Sequence, residues 1–562
     1  MQRSWSIHTF IAGQGHHTPS VASEAGVLNR AGFWQNPPEK TTWLEPSIDA
    51  QLDPADALDA RELDVSSRPS IAGPWRWTGL AASALIAASA PLWRLAGNEW
   101  RFSLPLIHHD GRKPYTTILF LLSAGVLALS WILLVRRVER STAPTRARTR
   151  AVVLTGAMWF VPVLLGPPLL SSDVYSYAAQ GEMVTKGLDP TSQGMFRLQT
   201  GEYVLRVDPI WRRPVEGKPE FGNGYGPVQM GSAAAAVSVT GHHALNTVWA
   251  LKVLALLGVA LAGWGLLQIA REVGLDPPTA LALGILNPIV ALHVVGGGHN
   301  DGLLMGLLFA GVALALRAKW WWWGVVLIAM AASVKLPAIV VLPYLAWCRP
   351  GLRDASRRER LRSCVQAGAV SLGVIAAWSV LVGVSFGWVN SMRNAGSSKG
   401  TLAITTQLGY NVSDTINSLG LTTNSDWWIG AFRLLGVLLM GGISLWLLWH
   451  SERITPLRAA GIASLAMVVF GPVVWPWYFA APIALLAVTE LGRWRASLML
   501  LTTAFACEVF PSAPGGTVPD HNHLVSTLVI LGIALAAVIL PWAQSWWAIA
   551  YDRPAATATL AD

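Results

Sequence analysis

The stretch SSDVYSYAAQGEM, residues 171–183, places an acid, two tyrosines and a glutamine directly after a long apolar run. If the segment is helical, Asp173, Tyr177 and Gln180 are spaced i, i+4 and i+7 and line one face. The dipole at a helix N-terminus favours the ionised form of Asp173. A carboxylate there can take a proton from a hydroxyl nucleophile. We therefore predict that Asp173 is a general base; the alternative is an ordinary helix N-cap.

A second polar stretch, GGGHND, interrupts another apolar segment. The three glycines at 296–298 predict a helix break, after which His299, Asn300 and Asp301 begin the next helix. Free N–H groups at a helix N-terminus bind phosphate, but Asp301 opposes an anion unless it pairs with a cation. His299 is then a ligand for phosphate or sugar, or a histidine satisfied at the membrane boundary.

Basic residues in two other polar stretches could hold an anionic group. Lys335, in SVKLP, stands between two short apolar segments, so it must reach the interface or bind an anion. A fixed cation there would also stabilise the charge that develops on a phosphate leaving group. Arg393 and Lys399, in NSMRNAGSSKG, supply two further cations. The alternative for Lys335 is that its ammonium only extends to the headgroup region.

Aromatic residues lie in the same kind of polar loop. The loop 171–227 is long for a compact protein, and such loops usually carry function or are disordered. It ends in GNGYGP, which contains Tyr225, and a later break, VVWPWY, contains Trp475, Trp477 and Tyr478. Aromatics with scattered polar groups suit sugar stacking and hydroxyl recognition. The alternative for the long loop is a solvated segment with a few packing anchors.

The elements that position these residues must lie in a membrane. The chain has 562 residues, of which 53% are hydrophobic and 13% charged, whereas soluble domains carry about 25% charged residues. Apolar stretches of roughly 20 residues recur, which is the length that a helix needs to cross the hydrocarbon core. Their continuous hydrophobicity selects helices over a barrel. The sequence predicts an all-α polytopic membrane protein.

The net charge of +9 is concentrated in a few loops. Arginines crowd 136–150 and 349–362, which predicts that these loops are cytoplasmic. Breaks at SVKLP and VVWPWY divide 320–347 and 458–491 into pairs of short helices, giving roughly 14 crossings with both termini inside. The remaining polar loops then all face outside, which favours an enzyme working there over a symmetric transport path. Nucleic-acid binding is excluded because no aromatic-and-basic platform accompanies the arginines.

The chain divides into a tail, a membrane domain and a short end. Residues 1–72 are predicted to be a mostly disordered cytoplasmic tail, and 549–562 a short cytoplasmic one. The transmembrane domain spans 73–548, with a first outer loop at 171–243 and a second at 387–427.

The absence of nucleotide-binding motifs limits which sugar donor the protein can use. The sequence contains no Walker motif, HExxH, GxSxG or dinucleotide fingerprint. An outward-facing transferase without a nucleotide cradle must use an activated donor that is already in the membrane. Polyprenyl-phosphate sugars fit this requirement.

Six motifs in order carry a family resemblance. SSDVYSYAAQGEM, LDP, YGP, NP followed by LHVVGGGHNDGL, SVKLPA and PWY together resemble the actinobacterial polyprenol-phosphomannose-dependent α-1,6-mannosyltransferases of the MptA/MptB type, with the MptB branch favoured. The resemblance covers about 75–545 and implies the fold of the GT-C superfamily, multi-pass glycosyltransferases whose catalytic acid lies in the first large outer loop. It also implies transfer of mannose from decaprenyl-phosphomannose to the α-1,6-mannan core of lipomannan and lipoarabinomannan, with inversion at the anomeric carbon.

The resemblance and the residues together predict roles. Asp173 deprotonates the 6-hydroxyl of the acceptor mannose, and Lys335, His299 and Arg393 hold the departing phosphate. Sugar or acceptor contacts are expected from Tyr177, Gln180, Tyr225, Asn300, Asp301, Trp475, Trp477 and Tyr478. Many GT-C enzymes have paired acids and a divalent metal, but here Val174 follows Asp173. We therefore expect no metal and no cofactor.

Three alternatives stay open. An arabinofuranosyltransferase that uses decaprenyl-phosphoarabinose on the same fold would differ mainly in the shape of its pocket. A secondary transporter would show charges near mid-helix and two similar halves. A lipid-binding or scaffold protein would not need Asp173.

Overall fold

The structure is a computed structural model that describes residues 71–89, 114–199, 201–207, 222, 224–352, 354–395, 403–507 and 523–551. These residues all belong to one compact unit, and no strand occurs among them. The prediction of an all-α polytopic membrane protein is confirmed. Apart from their inner ends, the predicted tails at 1–72 and 549–562 lie outside the described residues.

The described residues form α-helices of very different length. In chain order they are α1 (Trp75–Ser89), α2 (Pro114–Arg140), α3 (Thr145–Leu165), α4 (Asp173–Thr185), α5 (Glu202–Arg206), α6 (Pro227–Val239), α7 (Ala244–Glu272), α8 (Pro277–Gly284), α9 (Asp301–Ala315), α10 (Trp321–Val334), α11 (Val341–Trp347), α12 (Arg357–Val382), α13 (Gly387–Ala395), α14 (Ile404–Ser418), α15 (Ser425–Trp449), α16 (Ser451–Ile454), α17 (Pro456–Phe470), α18 (Ala480–Ala487), α19 (Arg495–Ala506) and α20 (His523–Tyr551). Within the described ranges, α2, α3, α7, α12 and α15 are long and apolar enough to cross a membrane.

Two helix breaks lie where the sequence predicts them. Helix α10 ends at Val334, Lys335 is extended, and a short 3₁₀ segment with Pro337 leads into α11. In the second break Trp475 is extended directly before Pro476. A residue that precedes proline is driven from the α-helical to the extended region, which explains the position of this break. Each break turns polar or aromatic side chains into the interior.

Two segments contain helices that the sequence analysis did not describe. The apolar stretch 279–296 is divided into α8 and a π-helix, Val290–Gly296. Pro288 has no N–H to continue the helix, and the Asn287 side chain accepts from the Val290 N–H instead, at 3.0 Å. The predicted loop at 387–427 contains α13 and α14.

The GLLMG sequence at the start of α9 allows this helix to cross α7 with backbones in contact. A Cβ on Gly302 would lie 2.5 Å from the carbonyl oxygen of Ala255, and one on Gly306 would lie 2.6 Å from that of Gly258. Small residues four apart permit this close approach between membrane helices. The first turn of α9, which begins with Asp301, is therefore fixed against α7.

Each arginine-rich loop forms ion pairs with a neighbouring segment of the chain. Arg148 lies near the start of α3, whose other end leads to Asp173, and Arg317 follows α9, which begins at Asp301. The ion-paired arginines and the candidate site residues therefore lie at opposite ends of these helices. The ion pairs concerned are Arg148–Asp276, Arg317–Glu272, Arg360–Glu452 and Arg495–Glu139. That the two loops share one face of the membrane, and that this face is cytoplasmic, stays a prediction.

Candidate active site

Asp173 is the first residue of α4 and follows the break after α3. Its N–H donates to the Ser171 hydroxyl at 3.1 Å, and Ser172 occupies the N-cap position. The alternative, in which Asp173 is the N-cap of the helix, is therefore wrong. Its side chain is 38% exposed, while the next two turns of α4 are almost entirely buried. The acid thus stands at the open side of an otherwise buried helix.

The Tyr177 hydroxyl is the centre of a polar cluster beneath Asp173. It lies 3.5 Å from the Asp173 carboxylate and 3.4 Å from each of the Tyr225 hydroxyl, His299 Nδ1 and the Asn300 side-chain oxygen. The predicted face shared by residues i and i+4 is confirmed for Asp173 and Tyr177. These separations are long for hydrogen bonds, so each of the four contacts is weak.

His299 connects this cluster to the aromatic break. Its ring stacks on Trp477 with centroids 3.8 Å apart, and Trp477 stacks in turn on Trp475 at 5.3 Å. His299 is fully buried, and its Nδ1 lies 3.8 Å from the Asp173 carboxylate. Its Nε2 makes no hydrogen bond within the described part of the chain. Only Trp475 of the three rings retains partial exposure.

Lys335 forms an ion pair with Asp301. Its ammonium lies 3.2 and 3.1 Å from the two carboxylate oxygens, and both side chains are about nine-tenths buried, with exposures of 10% and 9%. The same ammonium sits 4.0 Å from the centroid of the Tyr478 ring and 5.9 Å from that of Tyr225. Lys335 therefore turns inward rather than extending to the headgroup region. The condition that Asp301 should pair with a cation is met.

Burial sets the protonation of the groups beside Asp173. It raises the pKa of Asp173, and the nearby positive charge of Lys335 partly offsets this. It also lowers the pKa of His299 well below its ordinary value, with a further contribution from Lys335. The pKa of Tyr225 is raised well above its usual value, again chiefly by burial, so this hydroxyl stays protonated. Asp173 is thus a stronger base than an exposed aspartate, beside a neutral imidazole.

Hydrogen bonds join the first predicted outer loop to two other segments of the chain. Asp189, in the LDP motif, accepts from the Thr191 N–H at 2.9 Å and from the Ser385 N–H at 3.1 Å. Partial burial acts to raise the pKa of Asp189, but hydrogen bonds from Ser385 and Thr191 outweigh it and lower that pKa. The Gly226 N–H donates to the Val334 carbonyl at 3.4 Å. The first predicted outer loop is thereby joined to the residues just before the second loop and to the Lys335 break.

Some predicted residues are not brought to the open side of the site. Gln180 is fully buried, and within the described residues neither of its amide atoms makes a hydrogen bond. Tyr177, Asn300 and Trp477 are also buried, so they support the cluster from behind. Arg393 falls in α13, but its side chain lies outside what is described, as do Lys399 and 208–221.

The sequence reasoning missed Lys252. This residue is 1% exposed within α7, and its ammonium donates to the carbonyl oxygens of Val163 and Gly166 at 3.0 and 2.6 Å. The signal was available, because Lys252 is an ionisable residue inside an apolar membrane helix. Among the described residues, no group of three His, Cys, Asp or Glu side chains could hold a metal ion.

Comparison with known protein families gives two matches. A family model described as "Alpha-(1->6)-mannopyranosyltransferase, N-terminal domain" matches residues 76–350, and one described as "MptB C-terminal domain" matches 405–541. No solved structure matches the chain.

Curated relatives resemble the chain over most of its length. Alpha-(1->6)-mannopyranosyltransferase A of Mycobacterium tuberculosis is 31% identical over 76% of this chain and 80% of its own. A probable alpha-(1->6)-mannopyranosyltransferase of Mycolicibacterium smegmatis is 28% identical over 89% of this chain and 92% of its own. Alpha-(1->6)-mannopyranosyltransferase B of Corynebacterium glutamicum is 28% identical over 77% of this chain and 74% of its own.

Proposed function

Because the chain belongs to the α-(1→6)-mannopyranosyltransferase family, we propose that it moves mannose from a polyprenyl phosphate to the 6-hydroxyl of an α-1,6-mannan acceptor. The product is the mannan core of lipomannan and lipoarabinomannan. The observation that carries the proposal is that a partly exposed carboxylate, that of Asp173, lies close enough to the buried ammonium of Lys335 to be influenced by its positive charge. One group can accept a proton and the other can neutralise a phosphate.

The proposed reaction is a single displacement. The acceptor oxygen attacks the anomeric carbon as Asp173 takes its proton, and the bond from that carbon to the phosphate oxygen breaks. The electron pair of the broken bond stays on the polyprenyl phosphate, whose charge Lys335 stabilises. Attack from the side opposite the leaving group inverts the configuration, so a β-linked donor gives an α-linked product.

The other residues are assigned by their exposure. Tyr225, Trp475 and Tyr478 are partly exposed and are proposed to contact sugar or lipid. His299, Tyr177 and Asn300 are buried and hold Asp173 from behind; the stacking of His299 on Trp477 fixes the plane of the imidazole. The site is proposed to face outside, with both termini in the cytoplasm.

A comparison of donors tests the reaction. Membranes containing the protein are given decaprenyl-phosphomannose or decaprenyl-phosphoarabinose, each labelled, with a short α-1,6-mannoside acceptor. We expect an extended α-1,6-linked product from the mannose donor alone. Product from the arabinose donor alone would instead establish the arabinofuranosyltransferase alternative. Transport of the unreacted donor without product would favour the transporter.

The pH dependence of turnover should report the environment of Asp173. A general base works when it is deprotonated, so turnover is lost as the pH falls through the pKa of Asp173. Because burial raises that pKa, we expect the acid limb above the range of an exposed aspartate. Initial rates at saturating donor across acidic to neutral pH measure the limb. An acid limb at or below the usual aspartate range would contradict the assignment of the base.

A further inference from the structure

Lys252 is a buried ionisable residue for which the proposed reaction has no use. It lies on α7 and is 1% exposed, and none of the ion pairs among the described residues includes it. Its ammonium instead donates to two backbone carbonyls, those of Val163 and Gly166, and lies 5.2 Å from the centroid of the Trp249 ring. An ionisable group inside a membrane segment is costly, and such groups are usually functional.

The two carbonyls belong to the chain immediately before Asp173. Helix α3 ends at Leu165, and Pro162, Pro167 and Pro168 crowd this end with residues that have no N–H. The carbonyls at the last turn of a helix have no partner within it. Lys252 satisfies two of them from the neighbouring helix. It therefore fixes the direction in which the chain leaves α3 toward Asp173.

The stem of Lys252 also contacts the glycine turn that precedes His299. Gly298 has a φ of +69°, and a Cβ there would lie 2.8 Å from Cγ of Lys252 and 3.1 Å from a methyl carbon of Val174. The turn is thus enclosed between Lys252 and the residue that follows Asp173. A backbone bond from the Leu169 N–H to the Gly296 carbonyl, at 3.1 Å, joins the same two segments.

We propose that Lys252 is a positioning residue that fixes the segment carrying Asp173 relative to the segment carrying His299. The inference rests on the proposed function, since it concerns the placement of the base. Lys252 does not touch substrate. It sets the separation between the Asp173 carboxylate and His299, now 3.8 Å, through the backbone on both sides.

The test compares Lys252→Met and Lys252→Gln in the full-length protein in lipid nanodiscs. Methionine keeps an unbranched side chain but removes the hydrogen-bond donor. Glutamine keeps N–H groups that can donate hydrogen bonds but carries no charge. We expect Met to lower kcat on the order of 10- to 100-fold, because displacement of a catalytic group by about 1 Å can cost that much. The KM for the sugar donor should stay within about twofold, because Lys252 does not contribute to substrate binding. Gln should recover part of kcat.

A matched control removes a buried bond of the same kind elsewhere. The Trp131 indole donates to the Ala282 carbonyl at 2.8 Å, and Trp131→Phe should lower stability without changing kcat per folded protein. Amide hydrogen exchange gives a readout that does not depend on turnover. Lys252→Met should speed amide exchange at 163–174 and at 296–301, but leave exchange around Trp131 unchanged.

The outcomes separate the two ideas. If wild-type protein makes no mannosylated product, the proposed function fails, and exchange still decides whether Lys252 fastens the two segments. If wild type is active and Lys252→Met is folded with unchanged kcat, the positioning role is overturned. If Lys252→Met cannot be purified, Lys252→Gln is used in its place. An unchanged kcat in Lys252→Gln, together with faster exchange at both segments, would also overturn the positioning role.

Discussion

Replacing Asp173 by Asn is expected to lower turnover by about two to four orders of magnitude, which is the usual contribution of a general base. Asn has nearly the same size and accepts hydrogen bonds, but cannot take a proton from the acceptor. The donor should bind as well as before, because the phosphate is assigned to Lys335. Single-turnover rates and equilibrium binding of decaprenyl-phosphomannose measure the two effects separately.

Helix α4 supplies the control for this experiment. Glu182 lies on the same helix, is buried, and contacts His242 at 2.7 Å and Lys186 at 3.1 Å at the end away from Asp173. Glu182→Gln removes a more deeply buried carboxylate, 7% exposed, from the same helix and should leave turnover near that of wild type. Normal turnover in Asp173→Asn would end the assignment of Asp173 as the base. Equal losses in both variants would show that the effect comes from disruption of α4.

Local sequence was enough to predict the breaks that define the site. Proline and glycine limit the backbone within one or two residues, so SVKLP, VVWPWY and GGGHND could be identified as interruptions without any knowledge of the fold. The face shared by Asp173 and Tyr177 follows from helical spacing alone. The π-helix before Gly297 could not be predicted in this way, because its extra residue depends on how Asn287 and the neighbouring helices satisfy the backbone.

Contacts between distant segments were largely beyond the sequence. Lys335 and Asp301 are 34 positions apart, and only the crossing of α7, α9 and α10 brings them together. The stacking of His299 on Trp477 likewise joins two breaks that are far apart in the chain. Gln180 shows the reverse error. Helical periodicity placed it on the Asp173 face, yet α6 and α7 cover that part of α4 and bury it. Periodicity predicts a face but not what covers it.

The pairing of Lys335 with Asp301 gives the second large expected effect. Lys335→Ala should weaken binding of decaprenyl phosphate at least about tenfold, or about 1.4 kcal/mol, and should also lower turnover. It should reduce stability as well, because removing one partner of a buried ion pair leaves the other charge uncompensated, at a cost of about 3–5 kcal/mol. A loss of donor binding in this variant alone would therefore be ambiguous.

A double variant resolves that ambiguity. Lys335→Met with Asp301→Leu replaces both buried charges by apolar side chains, which usually restores much of the stability lost in the single variant. If Lys335 binds the phosphate, affinity for decaprenyl phosphate should stay low in the double variant although its unfolding temperature recovers. Arg148→Ala, which breaks the ion pair with Asp276 at the opposite end of the helices, should leave that affinity unchanged. Recovery of donor affinity together with stability would show that the pair only maintains the fold, and the phosphate would then have to be assigned to another cation.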